Sequence, residues 1–383
     1  MKLELSDMLK AGKENAPPPR YSVEDAVAAG RKRQRRQRTV FAGAGSTAAV
    51  VAVAAAIAVP QIVSGHKSSP SLPAAASSAA TQKKAFAYPA GDFTGNIAGF
   101  TSGDLKITDT VHVTPGYQVA IVVAPGSGTD TVDADNKLHH SPNDIGQVVV
   151  YRKGVYNPKK IQSAAKTSVD GHPAYFQKSL PGESPKGVKG NFPKHAFDTA
   201  ASLAWQYGDN AWAVVTTAGR AEISQQQLAA IAAKVSAGAA EPAKVGFKLS
   251  YVPSGYELAA AGPSDSMLLS PMTGESYIRL LKGNFPYKGL TEPAQDPFVV
   301  NDKQLPVVQL GLYPSWYSKH SAKTASCPDQ GLCYRSTDDG KYVLELSGGG
   351  FLSDAEMIKM LNSVTFADPT DPGTWFKATD AVS

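Results

Sequence analysis

The pattern of apolar and polar residues changes along the chain and divides it into distinct stretches. Residues 1–38 are polar and end in a basic tract, whereas residues 39–63 are uncharged and largely apolar. Residues 64–92 are rich in Ser, Ala and Pro and have few large apolar side chains, which is typical of a linker. From residue 93 onward, short apolar runs separated by turn residues predict β-strands.

The strand signals after residue 93 occur twice in the same order, at an offset of about 130 to 140 residues. The matching pairs of segments are 113–119 with 252–258, 146–154 with 275–283, 169–172 with 300–303, and 211–216 with 341–346. Any one match arises easily by chance, but an ordered set is much less probable by chance. We therefore predict two related halves, 93–236 and 245–367, joined by a hinge at 237–244.

Each half ends in a sequence that predicts a capped helix. Ser224 is followed three residues later by Gln227, and Ser353 by Glu356, which is the capping-box pattern. Apolar residues then recur at helical spacing, at Leu228, Ile231 and Val235, and at Met357, Met360, Leu361 and Val364. Strands followed by one helix predict an α+β fold, with an antiparallel sheet and a C-terminal helix in each half. The remaining residues, 368–383, contain two Pro and one Gly and are expected to form a flexible tail.

The uncharged stretch 39–63 predicts a transmembrane helix. A helix of this length reaches about 37 Å, which exceeds the roughly 30 Å hydrocarbon core of a bilayer. Six of the eight residues in 31–38 are Lys or Arg, and basic flanks stay on the cytosolic side. We therefore expect a single-pass plasma-membrane protein with residues 1–38 in the cytoplasm and all residues after 63 outside the cell.

A cleaved signal peptide is the alternative interpretation of this stretch. Its apolarity is modest, because it holds nine Ala and no Leu. Against cleavage, the polar region before it is far longer than the n-region of a signal peptide, and no good cleavage site follows closely. We therefore favour an uncleaved anchor that contacts the lipid bilayer through residues 39–63.

The net charge of the chain lies entirely before the apolar stretch. Residues 1–38 hold ten Lys or Arg and five Asp or Glu, and the whole chain holds 38 and 33. The remainder therefore holds 28 residues of each sign and has no net charge. Because a nucleic-acid-binding surface needs a basic excess, we expect no nucleic acid partner. The basic tract is explained by membrane orientation.

The chain has two cysteines, Cys327 and Cys333, which this topology places outside the cell. Neighbouring thiols outside the cell usually form a disulfide, and Pro328 and Gly331 supply turn residues between them. The spacing differs from the Cys-x-x-Cys of redox proteins. We therefore predict a structural disulfide.

The sequence indicates no catalytic, cofactor or metal site. It contains neither a Gly-x-Ser-x-Gly elbow nor a His-Glu-x-x-His motif. The pair His139 and His140 follows Asp130, Asp133 and Asp135, but the acidic spacing does not match a calcium loop. A solvated polar loop is the better interpretation. We expect a protein that is not an enzyme, although a triad assembled only in space stays open.

Three aromatic residues, Tyr313, Trp316 and Tyr317, flank a Pro in a predicted loop. An exposed aromatic loop is typical of a contact with a glycan, a peptide or a protein partner. Packing of these side chains against the neighbouring half is the alternative. They are the candidate contacts for an envelope ligand or partner.

The Pro, Gly and Tyr near the start of each half, the turns after Val169 and Val300, the aromatic strands and the Leu-Ser-x-x-Glu signal resemble a known ectodomain type. Such ectodomains of unknown function occur on Gram-positive anti-sigma-factor-like and sporulation-associated membrane proteins. The N-terminal layout resembles that of actinobacterial single-pass membrane proteins of the anti-sigma-like kind.

The resemblance implies a regulatory or sensory protein without enzymatic activity, and a cytosolic partner of the sigma-factor type for residues 1–30. One departure bears on this. Zinc-type anti-sigma domains carry a His-x3-Cys-x2-Cys motif, and residues 1–38 contain neither His nor Cys. The alternative is a structural or ligand-binding module of the envelope without a cytosolic signalling role.

Overall fold

The computed structural model describes residues 86–132, 138–179, 200–217, 223–263, 275–284, 290, 299–300, 303–318, 320, 322–348 and 350–382. The predicted cytoplasmic segment 1–38, the predicted membrane span 39–63 and residues 64–85 of the predicted linker lie outside this part of the chain. Among the described residues, no helix is both long enough and apolar enough to cross a membrane.

The described residues form many strands and two α-helices. The strands of the first half are β1 (Thr94–Ile97), β2 (Phe100–Ser102), β3 (Leu105–Ile107), β4 (His112–Val113), β5 (Tyr117–Val132), β6 (Leu138–Tyr151), β7 (Ala165–Val169), β8 (His172–Gln177), β9 (Ser202–Gly208), β10 (Ala211–Thr217) and β11 (Ala237–Pro242). Those of the second half are β12 (Lys244–Val245), β13 (Phe247–Leu249), β14 (Tyr256–Gly262), β15 (Ser276–Lys282), β16 (Val299–Val300), β17 (Lys303–Gln304), β18 (Val307–Pro314), β19 (Ser326–Asp329), β20 (Leu332–Ser336), β21 (Tyr342–Ser347), β22 (Val364–Phe366) and β23 (Phe376–Lys377). The α-helices are α1 (Gln225–Lys234) and α2 (Asp354–Asn362), and single 3-10 turns lie at Ile161–Ser163, Ser315–Tyr317, Pro372–Thr374 and Asp380–Val382.

One large antiparallel sheet runs through both halves. Its strand order is β19-β20-β21-β18-β15-β14-β4-β5-β6-β10-β9-β8-β7, with β3 also paired to β5 and β2 to β3. Strand β4 lies between the halves, because Val113 is paired with Gln118 of β5 on one side and with Ala261 of β14 on the other. The fold is therefore β-rich and mostly antiparallel, with few helices.

Both predicted helices are present, and each begins at the predicted cap. The amide of Gln227 donates to Ser224 Oγ at 3.2 Å, and the amide of Ser224 donates to Gln227 Oε1 at 2.9 Å. Ser353 and Glu356 make the same reciprocal pair at 3.3 and 3.2 Å. These bonds satisfy two amides that the first helical turn leaves without partners.

The strand order of the two halves differs, and two copies of one topology are not confirmed. Reading outward from β4, the first half runs β5, β6, β10, β9, β8, β7, and the second runs β14, β15, β18, β21, β20, β19. The strand that precedes the helix, β10 or β21, is third in the first half and fourth in the second. Short sequence motifs record local turns and caps, whereas strand neighbours depend on contacts between distant residues.

The two faces of the sheet carry different cores. On one face, α1 covers a cluster that includes Val148 and Leu203, and α2 covers a cluster that includes Leu280 and Leu344. Because side chains alternate along a strand, the intervening residues, such as Val149 of β6, face the other side. The second face also carries Tyr117 and Tyr277, which contact the buried His112, whereas Phe86, Tyr88 and Tyr207 pack against the cluster under α1.

The predicted hinge and tail are both corrected by the structure. Within the hinge 237–244, β11 is an exposed strand paired with β1, and Lys244 in β12 is paired with Lys377 in β23. Residues 368–382 are not a flexible tail, because they pack back on the second half and bury Ala378 and Ala381. The Pro and Gly content of this segment predicts irregular backbone, but it does not predict the pairing of Phe376 with Val245.

Candidate functional site

Residues 86–92, here called the strap, are the last residues of the predicted linker and lie against the first half. The ring of Phe86 meets Tyr207 edge to face, with centroids 5.4 Å apart. The carbonyl of Ala87 accepts a hydrogen bond of 2.7 Å from Asn96 Nδ2. The chain leaving the linker is therefore docked on the domain at specific positions, which corrects the predicted linker boundary at residue 92.

Arg152, at the end of β6, holds the middle of the strap. Its guanidinium lies 5.3 Å from the ring centroid of Tyr88. It also donates to Asp92 Oδ1 at 2.8 Å and to the carbonyl of Gly91 at 3.2 Å. A cation over an aromatic ring and a charge-assisted hydrogen bond both favour the docked strap.

A buried polar network under the strap joins it to the sheet. Gln118 is fully buried, and its Oε1 accepts from the amide of Asn96 at 2.7 Å and from Thr110 Oγ1 at 2.9 Å. Its Nε2 donates to Asn96 Oδ1 at 2.7 Å. Because both ends of this amide are satisfied, the network fixes β1 and the strap with little freedom.

An open cleft of about 500 Å³ lies between the strap and the β9–β10 turn. Aromatic side chains line it, and charge pairs stand on its rim; the principal residues are Phe86, Tyr88, Tyr207, Arg152, Lys153 and Asp209. Lys153 Nζ lies 2.6 Å from Asp209 Oδ2, and this hydrogen bond and charge lower the pKa of Asp209. Burial raises the pKa of Tyr88 and of Tyr207 well above the usual range, so both phenols stay neutral. The cleft offers stacking and hydrogen-bonding groups, and its lining contains no His, Cys or Ser.

The junction between the halves contains a second unusual group, the buried His112 of β4. Its ring lies nearly parallel to those of Tyr117 of β5 and Tyr277 of β15, with centroids 5.5 and 5.8 Å away. His112 Nδ1 shares a hydrogen bond with the Tyr277 hydroxyl, whereas His112 Nε2 is buried and has no hydrogen-bond partner within the described residues. Burial lowers the pKa of His112 to about 3, and the charge of Arg279 acts in the same direction. The imidazole is therefore neutral near pH 7.

A glycine permits the close approach of strands at this junction. A Cβ at position 262 would overlap the carbonyl oxygen of Val111, which precedes β4. Only a glycine at position 262 lets the end of β14 lie against this carbonyl without a shift of either strand. The junction therefore has little room for a change of packing.

The predicted aromatic contacts do not form an exposed group. Tyr313 is 2% exposed, because β18 continues to Pro314 and places this ring inside the fold. Trp316 is half-buried in a 3-10 turn, and the side chain of Tyr317 is not among those described. The prediction of Tyr313 as a ligand contact is therefore wrong, since a buried ring cannot contact a partner.

The two cysteines form a disulfide that joins β19 to β20. Cys333 is fully buried, and Cys327 lies 3.8 Å from the carbonyl oxygen of Asp354 at the start of α2. Cys327, Cys333 and Asp354 are close enough to hold a metal ion together. Both sulfurs are used in the disulfide, however, and a cysteine binds a metal ion only as a thiolate. This cluster is therefore a structural staple.

The acidic and histidine-rich loop lies at the tip of the β5–β6 hairpin. The register of the hairpin places Asp130 opposite His140 and Thr131 opposite His139. Residues 133–137, which include Asp133 and Asp135, fall outside the described part of the chain. The interpretation of a solvated loop stays a prediction.

Sequence reasoning misses both the strap and His112. Tyr88 lies in an Ala- and Pro-containing stretch that has linker composition, so its packing is not evident locally. His112 stands between Val111 and Val113, and a polar residue within an apolar run is the one signal that points to a buried group.

Neither a family model nor a curated protein matches the chain. A solved structure titled "Crystal structure of MucB in complex with MucA(peri)" is similar at 13% identity, over 72% of this chain and 93% of that chain. The TM-score is 0.19, so this likeness carries no argument about fold, partner or function.

Proposed function

We propose that this chain is a membrane-anchored regulatory or sensory protein of the cell envelope, without enzymatic activity. Residues 1–38 lie in the cytoplasm, 39–63 cross the membrane, and the domain from residue 86 onward lies outside. The basic tract before the uncharged stretch supports this orientation. The disulfide between Cys327 and Cys333 also supports it, because disulfides persist mainly in oxidising compartments outside the cytosol.

The observation that carries the sensory role is the docked strap. Arg152 holds Tyr88 and Asp92, and Asn96 holds Ala87, so the tether enters the domain through specific contacts. A module that needs only attachment works with a loose connection. A protein that reports a change in the domain needs a connection with two states, docked and released, and specific contacts define the docked state.

The cleft beside the strap supports the same proposal. Phe86 and Tyr88 belong to the strap and also line the cleft. A ligand or protein of the envelope that enters the cleft therefore contacts the strap directly. Its binding energy is then available to stabilise or release the docked arrangement.

In this proposal, residues 1–30 contact a cytosolic protein of the sigma-factor type. The alternative is an envelope structural or ligand-binding module whose cytosolic residues only set topology. The absence of His and Cys from residues 1–38 favours this alternative, because a zinc-type anti-sigma site cannot form there.

A related proposal concerns the origin of the domain. We infer that the two halves descend from a duplication. The shared first pair of strands and the shared capped helix support this inference, and the strand order beyond them has diverged.

The test compares the full chain with a variant that lacks residues 2–28 and keeps the basic tract 31–38. Both are expressed in bacterial cells, cross-linked in the membrane and purified through a C-terminal tag. The proposal predicts a cytosolic protein that is cross-linked to the full chain and lost with the deletion. Equal sets of cross-linked proteins from both chains would overturn the reporting role and leave the envelope module.

A further inference from the structure

The contact between the two halves within the sheet is narrow. Strand β4 has two residues, and Val113 alone is paired with both β5 and β14. Outside the sheet, Leu290 forms a bridge with Tyr156, accepts a hydrogen bond of 2.7 Å from the amide of Asn157 and packs in the aromatic cluster of the first half. A change at β4 therefore acts on the connection between the two halves within the sheet.

His112 lies at this connection as a neutral imidazole, and its surroundings do not stabilise the charge of a second proton. The residue is 1% exposed, the ring of Tyr117 lies nearly parallel to the imidazole, and the Tyr277 hydroxyl meets the imidazole edge at Nδ1. Among the described residues, the two phenols contact it and the charge of Arg279 of β15 shifts its titration, whereas Glu275, a buried carboxyl directly before β15, is not among the causes of that shift. On β14, Ala259 and Ala260 share a cluster with Tyr277, and neither titrates. An imidazolium here would be buried beside a cation, without a compensating carboxylate among the described groups that shift its titration.

We propose that the junction is an acid-sensitive latch, in which protonation of His112 releases β4 from β14 and opens the contact between the halves. The latch is a property of the fold, and its use as an input for a sensor rests on the proposed function. The pH outside the membrane varies more widely than the pH of the cytosol. In an envelope domain, the buried His112 therefore responds to a quantity that changes.

The direction and size of the effect follow from linkage. An exposed histidine has a pKa near 6.5, and the buried His112 has a pKa of about 3, so the open form binds a proton first. The closed form, in which β4 is paired with β14, keeps its full stability relative to the open form above pH 6.5. It loses this stability as the pH falls from 6.5 toward 3. Between pH 7.0 and pH 4.5 the opening equilibrium increases about 70-fold by this relation.

Hydrogen exchange measured by mass spectrometry on the full chain in detergent tests the latch. Exchange is followed at pH 7.0 and pH 4.5, with times corrected for the intrinsic rate, in peptides that cover β4 and β14. The wild type should show about 70-fold more opening at pH 4.5. Peptides from α1 and α2 should change much less, which separates the latch from general acid unfolding.

Two substitutions assign the effect to His112. His112→Gln keeps a polar group, and His112→Phe keeps a ring beside the two tyrosines. Neither the Gln nor the Phe side chain titrates. Each should reduce the pH effect at β4 to a few-fold or less, and His112→Phe serves if the glutamine variant does not fold. His320→Gln is the matched control, because His320 is a partly buried histidine paired with Asp329 at 3.1 Å, far along the chain from β4. It should retain the wild-type response.

Unchanged protection of the wild type between the two pH values would overturn the latch. So would a wild-type response that persists in His112→Phe. Neither result bears on membrane topology, so failure of the latch and failure of the proposed function are distinguishable.

Discussion

The Tyr277 hydroxyl and His112 Nδ1 form a hydrogen bond between residues that are 165 positions apart in the chain. One residue belongs to the second half, and the other stands on the strand that joins both halves. This bond satisfies one nitrogen of a buried imidazole, and the other nitrogen has no partner among the described residues. The pair therefore ties the stability of the junction to one polar contact.

Removing the Tyr277 hydroxyl should destabilise the junction. In Tyr277→Phe, the buried Nδ1 of His112 loses its partner, and such a loss costs about 1 to 3 kcal/mol. Denaturant unfolding of the full chain measures this free energy. Tyr175→Phe is the control, because Tyr175 lies half-buried on β8 and away from the junction. Equal stability of the two variants would contradict the role given to the hydrogen bond.

A methyl group at position 262 should disrupt the approach of β4 to β14. The added Cβ of Gly262→Ala would overlap the Val111 carbonyl oxygen, and overpacking of this kind costs about 1 to 3 kcal/mol. Thermal unfolding of the variant checks the loss. In Gly208→Ala the nearest atom to the new Cβ is Ala211 Cβ at 3.6 Å, an ordinary contact. This control should unfold close to the wild type; a similar loss in both variants would show that the approach at position 262 is not special.

Reduction of the disulfide should weaken the second half by a moderate amount. Closing so short a loop between Cys327 and Cys333 stabilises the fold by about 2 kcal/mol in the chain-entropy model. Chemical denaturation with and without a reductant measures the difference. The double variant with both cysteines changed to Ser should match the reduced wild type and should not respond to the reductant. A wild type that is indifferent to reduction would refute the stabilising role.

Loss of the Arg152 side chain should release the strap. Arg152→Ala removes both the contact with Tyr88 and the bond to Asp92, and because these groups are partly exposed the expected loss is about 1 kcal/mol. Hydrogen exchange of the amides in 86–92 should increase several-fold. In Lys153→Ala the removed ion pair with Asp209 is mostly exposed, so strap protection should stay unchanged. Equal exchange in the two variants would contradict the docking role of Arg152.

The parts of the fold that follow from sequence are those decided by near neighbours. The cap between Ser224 and Gln227 spans three residues, and the turn between Cys327 and Cys333 spans six, so both are evident in the pattern. The place of β18 between β15 and β21 depends on pairing between distant strands, and no short motif encodes it.

The candidate site escapes prediction for the same reason. Gln118 acts with Asn96, and His112 acts with Tyr277, across 22 and 165 residues. For Tyr313 the sequence predicts an exposed ring, whereas the structure buries it. An aromatic residue next to a Pro has the composition of an exposed loop, but a strand that continues to Pro314 buries the ring.

Labelling with a membrane-impermeant maleimide in intact bacterial cells tests whether the domain lies outside a membrane that residues 39–63 cross. Two full-length variants each carry one added thiol, Ser6→Cys or Thr379→Cys, and Thr379 is exposed in the structure. The native cysteines are joined and should stay silent without a reductant. The proposed topology predicts labelling of Thr379→Cys in intact cells and of Ser6→Cys only after lysis. Labelling of Ser6→Cys in intact cells, or of Thr379→Cys only after lysis, would contradict it.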